Sequence, residues 1–94
     1  VSAKATGQDT DYYVVTITDP KRLAPYKAEC EDIIEVLGMN FAEGNAFKAI
    51  WRSCAARTLG NIKPGSDQKG VYDAEKVEYY GRRMVAIRKR QETS

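Results

Sequence analysis

Asn45, Lys48 and Arg52 stand at i, i+3 and i+7, which places an amide, an ammonium and a guanidinium on one face of a helix. Asp73, Lys76, Tyr80 and Arg83 share one face further along the chain. If the two helices run antiparallel, these rows meet in a polar seam. Such a seam suits a phosphate: Arg supplies forked donors, Lys a mobile point charge and Asn a neutral donor-acceptor. Tyr79, Tyr80 or Trp51 lies close enough in sequence to stack a base. The same residues admit a structural role. Arg52 then pairs with Asp73 to hold the helices in register, Asn45 caps backbone, and Trp51 belongs to the core. Spacing leaves both roles open.

Other chemistry is more restricted. Lys63 and Lys69 fall in a segment punctuated by Gly60, Pro64, Gly65 and Gly70, which reads as a loop able to place both cations over a bound anion as a lid. It is not a phosphate-binding loop of the strand–GxxxxGK[ST]–helix type, because the Lys-Gly order is reversed and no strand precedes it. Glu29 with Asp32, and Glu75 with Glu78, are i,i+3 acidic pairs. Facing each other they can hold Mg²⁺ against a triphosphate, so a metal enters only under an enzyme alternative of kinase or pyrophosphatase type. The chain has no His, which removes His-based general base catalysis and the zinc motifs that need it. Cys30 and Cys54 lack such a base and are expected to be free thiols. No catalytic residue is assigned. Arg82, Arg83, Arg88, Lys89 and Arg90 spread round more than one helix face, so the basic end is read as solvated and nucleic acid is not the expected partner.

The elements that position these residues are few. Ninety-four residues, 43% apolar and 30% charged with net charge +2, describe one folded domain. No run is long enough to cross a membrane. The first twenty residues have no apolar run and suggest no leader. Residues 1–20 form a polar arm in which Tyr12 to Thr18 is extended by composition. No second convincing strand is present, so this segment is expected to drape over helices or complete an intermolecular contact. Residues 21–91 form a three-helix domain: about Ala28 to Leu37, Ala42 to Thr58 capped by Asn40 with Glu43, and Tyr72 to Arg90, with a Gly/Pro loop at 59–70. Helical spacing nominates Ile33, Leu37, Phe47, Ile50, Trp51, Cys54, Val77, Tyr80, Met84 and Ile87 for the core. The fold class is all-α, and so small a core makes a homo-oligomer a reasonable expectation.

Gly44-Asn45-Ala46-Phe47-Lys48-Ala49-Ile50-Trp51-Arg52, preceded by Ile33-Ile34-Glu35-Val36-Leu37-Gly38-Met39-Asn40-Phe41, resembles a small domain family of tailed bacteriophages. Its members also carry a Gly/Lys-rich loop and a stretch similar to Asp73 through Arg83, where Asp73, Lys76, Tyr80 and Arg83 match. Tyr79 stands in place of the family's Trp, and Ala74, Glu75 and Gly81 depart from the pattern. Tyr26 and Lys27 match a Tyr-Lys found before the first helix. The resemblance covers about Tyr26 to Arg83. One member looks like part of a phage nucleotide kinase, so the resemblance implies a nucleotide-type ligand and work in a host cytoplasm.

The reading that follows is a phage accessory protein that binds a nucleotide or other phosphate-bearing small molecule in the helix–helix seam. The alternatives are a module acting on a host or phage protein, and the Mg²⁺-dependent enzyme.

Overall fold

The computed structural model describes residues 13–60 and 70–93. Residues 1–12 of the arm, and with them Tyr12, lie outside the described residues, as do residues 61–69 of the Gly/Pro loop with Lys63 and Lys69. The chain runs β1 (Val14–Ile17), β2 (Tyr26–Glu29), α1 (Cys30–Val36), α2 (Phe41–Leu59) and α3 (Val71–Thr93). The protein is therefore mostly helical but not purely all-α.

The extended segment finds its partner within the chain. β1 and β2 pair antiparallel, with Val14 opposite Glu29 and Ile17 opposite Tyr26. This corrects the expectation of a strand without a mate. Tyr26-Lys27-Ala28-Glu29 has no β-branched residue and two charges, so it resembles a helix start more than a strand. The turn through Pro20 and Pro25 brings it back alongside β1 all the same, and helix begins only at Cys30.

Helix ends follow local chemistry. Asn40 accepts a hydrogen bond from the Glu43 backbone N–H at 2.9 Å, and the Glu43 carboxylate accepts one from the Asn40 N–H at 3.0 Å. This reciprocal cap starts α2 where the sequence expects it. Gly60, at φ 72°, ends α2 in a left-handed conformation that costs a glycine little.

α2 is the centre of the molecule. It runs antiparallel to α3: Arg52 meets Asp73 toward one end, and Glu43 meets Arg88 at the other. At about 100° per residue, Ala42, Ala46 and Ala49 share one stripe, while Gly44 and Ala55 lie on the opposite side. All five are buried. α2 thus carries two buried faces. Gly44 approaches α1, where a Cβ added to it would sit 3.6 Å from Ile34.

This arrangement corrects the core list. Among the described residues, alanines and Cys30 are the buried apolar ones, whereas Leu37 and Ile50 are 67% and 49% exposed. Phe47, Trp51, Cys54, Val77, Tyr80, Met84 and Ile87 are half-buried. Apolar residues surround most of α2, so helical spacing marks a broad band and not the narrow alanine stripe. Ile50 lies between the two buried faces. No helix among the described residues is long and apolar enough to cross a membrane.

Packing of this kind predicts an inversion of the usual size rule. Ala49→Leu should destabilise the protein by about 1–3 kcal/mol through overpacking. Removing most of the larger Ile50 side chain as Ile50→Ala should cost only about 1 kcal/mol, because half of it is already in water. Urea melts of the two variants check the order.

Candidate functional site

The seam forms, and its centre is occupied by its own residues. Arg52 donates from Nε to Asp73 Oδ1 at 3.1 Å and from Nη2 to the same oxygen at 2.6 Å. Its Nη1 donates to the Tyr13 hydroxyl at 2.9 Å. One guanidinium therefore ties α2 to α3 and to the residue that leads into β1. The Arg52 and Asp73 side chains are only 17% and 11% exposed. Burial opposes the charge on Arg52, but the hydrogen bonds to Asp73 and Tyr13 outweigh it and raise the pKa.

The remaining members of the row divide. Asn45 donates from Nδ2 to the Phe41 carbonyl of its own helix at 2.8 Å. Lys48 places Nζ 5.8 Å from the Tyr13 ring centre, and Lys76 lies 5.1 Å from that of Tyr72, both within reach of a cation–π attraction. Tyr80 and Arg83 belong elsewhere. They line a cleft of about 460 Å³ with Asn40, Phe41, Ala42, Tyr79 and Ile87, between the start of α2 and the middle of α3. Among the described residues, the seven seam residues therefore divide between the Arg52–Asp73 ion pair with its neighbours and this cleft.

In the cleft, Phe41 is 77% exposed and meets Tyr80 edge-on, with ring centres 5.9 Å apart. Tyr79 stacks edge-on against Tyr80 at 4.9 Å and is itself exposed. Arg83 is exposed and has no ion-pair partner among the described residues. Arg82, its neighbour, pairs with Glu78 at 3.0 Å, and Arg88 with Glu43 at 3.2 Å.

The acidic set does not assemble. Among the described residues no three His, Cys, Asp or Glu side chains come together as a metal site, and Glu29, Asp32, Glu75 and Glu78 are therefore not one. Glu29 is the residue before α1, Asp32 lies in that helix's first turn, and Glu78 is paired with Arg82. Both α1 and α3 pack against α2.

Two contributors escape sequence reasoning. Tyr13 reaches Arg52 across 39 positions through the hairpin, a contact with no spacing signature. Phe41 reads as part of a short connection, yet it opens α2 and supplies a cleft wall. No family model, curated protein or solved structure matches the chain.

Cys30 shows how the interior treats charge. Burial pushes its thiol up to about 11; Lys48 and Arg52 pull the other way, while Glu29 and Glu31 assist the rise. The unfolded chain ionises this thiol from about pH 9, whereas the folded chain keeps it neutral until about 11. Its contribution is complete below about pH 9 and is lost as pH climbs through that window. Stability against urea should fall less steeply over that window in Cys30→Ala than in the wild type. Equal slopes would show that another group governs the alkaline loss.

Proposed function

We propose that the protein binds a nucleotide or similar phosphate-bearing small molecule in the cleft between α2 and α3, not along the Arg52 row. The observation that carries this reading is the grouping of Phe41, Tyr79 and Tyr80 around one opening of about 460 Å³ with Arg83, which has no ion-pair partner among the described residues. Exposed ring faces supply stacking surfaces for a base. The Arg83 guanidinium supplies a fork for a phosphate. The capping box consumes the Asn40 and Glu43 N–H groups of α2, leaving those of Phe41 and Ala42 at the positive end of a long helix dipole.

Arg52 gives less support to the original seam. A phosphate there would have to displace Asp73 and Tyr13 from a nearly dry guanidinium, which leaves Asp73 buried without its cation. The resemblance to a phage family with a nucleotide-kinase member supports the ligand class, and with it a phage origin and work in a host cytoplasm. No metal step belongs to the proposal.

Self-association is part of the same reading. The chain buries mainly alanines and leaves many large apolar side chains at its surface, a balance that a second copy would improve.

Calorimetric titration with mononucleotides tests the cleft. Arg83→Ala should weaken binding about ten- to a hundredfold, the value of a charge-assisted hydrogen bond, and leave the melting temperature unchanged because Arg83 is exposed. Absence of binding at millimolar nucleotide, or wild-type affinity in Arg83→Ala, would refute the assignment. A protein partner captured through Phe41 and Tyr79 without nucleotide would instead favour the interaction-module reading, to which exposed aromatics beside an Arg also point.

A further inference from the structure

The second surface of interest lies on the other side of α2. A trough of about 400 Å³ runs between β1 and α2, walled by Val15, Ile17, Phe47, Ile50, Trp51 and Leu59 among others, with no charged residue along it. Val15, Thr16 and Ile17 of β1 supply one of its walls. Among the described residues the sheet has two strands only, so β1 pairs with β2 on one side and presents its other edge unpaired.

The two strands differ in how they treat their edges. β2 carries Lys27 and Glu29, charges of the kind that deter a further strand. β1 reads Val-Val-Thr-Ile, with neither charge nor proline. A bare apolar edge beside an uncharged trough is an open invitation to another strand, and it recruits an apolar occupant, not a charged one.

We propose that the β1 edge and the adjoining trough form the two-fold interface of a homodimer, a claim that rests on the reading of the chain as self-associating. The patch is self-complementary, as a two-fold contact requires. β1 paired antiparallel with its own copy sets Val14 against Ile17 and Val15 against Thr16 of the second chain, so no like charges meet across the axis. The result is a four-stranded sheet in the order β2-β1-β1-β2, with the charged strands outside. Ile50 and Leu59, left in water by the single chain, are then covered. The strand that the sequence marks as looking for a partner takes β2 on one edge and its own copy on the other.

Sedimentation of the full chain from micromolar to submillimolar concentration tests this, using wild type, Thr16→Lys and Ile50→Asp. Both positions are exposed, and far-ultraviolet circular dichroism checks that the helices persist; should one variant lose them, the other decides. Wild type should sediment at twice the 10.5 kDa of the chain. Each folded variant should raise the dimer dissociation constant about tenfold or more. Wild type at the monomer mass throughout would overturn both the interface and self-association. A dimer or larger assembly indifferent to both substitutions would overturn this interface alone and place self-association on another face. Neither result touches nucleotide binding at the α2–α3 cleft.

Discussion

The Arg52 guanidinium is the joint on which the rest of the structure depends. It joins the central helix to α3 through Asp73 and to the start of the hairpin through Tyr13. The energetics are asymmetric. Burying the two charges is expensive and their attraction offsets the cost, so the intact pair adds little net stability over an apolar pair. Removing one partner is different, because the survivor is then buried alone. The pair thereby specifies one register of α2 against α3 and penalises the others. That register brings Phe41 beside Tyr80 and opens the cleft.

Around this joint the packing is unusually small in scale. Ala42, Ala46 and Ala49 form a stripe along α2, and Gly44 faces Ile34 of α1 on the opposite side. Small side chains save little area from water each, about 25 cal/mol per Å² of apolar surface. Larger residues such as Leu37, Phe41 and Ile50 remain at the surface. The chain thus spends its large apolar side chains on outward-facing surfaces: an aromatic cleft on one flank of α2 and an apolar trough on the other.

Local patterns were legible in the chain, and tertiary ones were not. The Asn40–Glu43 cap, the three helices and the Arg52–Asp73 pairing can be read from spacing, because each depends on neighbours a few residues apart or on two matching helix faces. β2 could not be read, since Tyr26-Lys27-Ala28-Glu29 becomes a strand only through its pairing with β1. The core was misjudged at Ile50 because α2 is apolar round most of its circumference and is packed from two sides, and at Leu37 because α1 ends at Val36 and Leu37 follows it as an exposed cap. The stretch most suggestive of chemistry, Gly44 to Arg52, makes a row of contacts within the fold. Gly44 faces Ile34, Asn45 bonds its own helix, Lys48 lies over Tyr13, Trp51 meets Phe47, and Arg52 grips Asp73. Tyr80 and Arg83, of the candidate ligand residues, line the cleft between α2 and α3.

A double-mutant cycle between Arg52 and Asp73 tests most directly whether this pair is a structural joint. Arg52→Met, Asp73→Leu and the double variant can be compared with wild type by urea unfolding. A joint predicts that each single variant is destabilised by about 3 kcal/mol or more, and that the double recovers much of the loss, with a coupling of about 2 kcal/mol or more. Additive effects, with coupling below about 0.5 kcal/mol, would contradict the account and return Arg52 to the pool of residues available for a ligand.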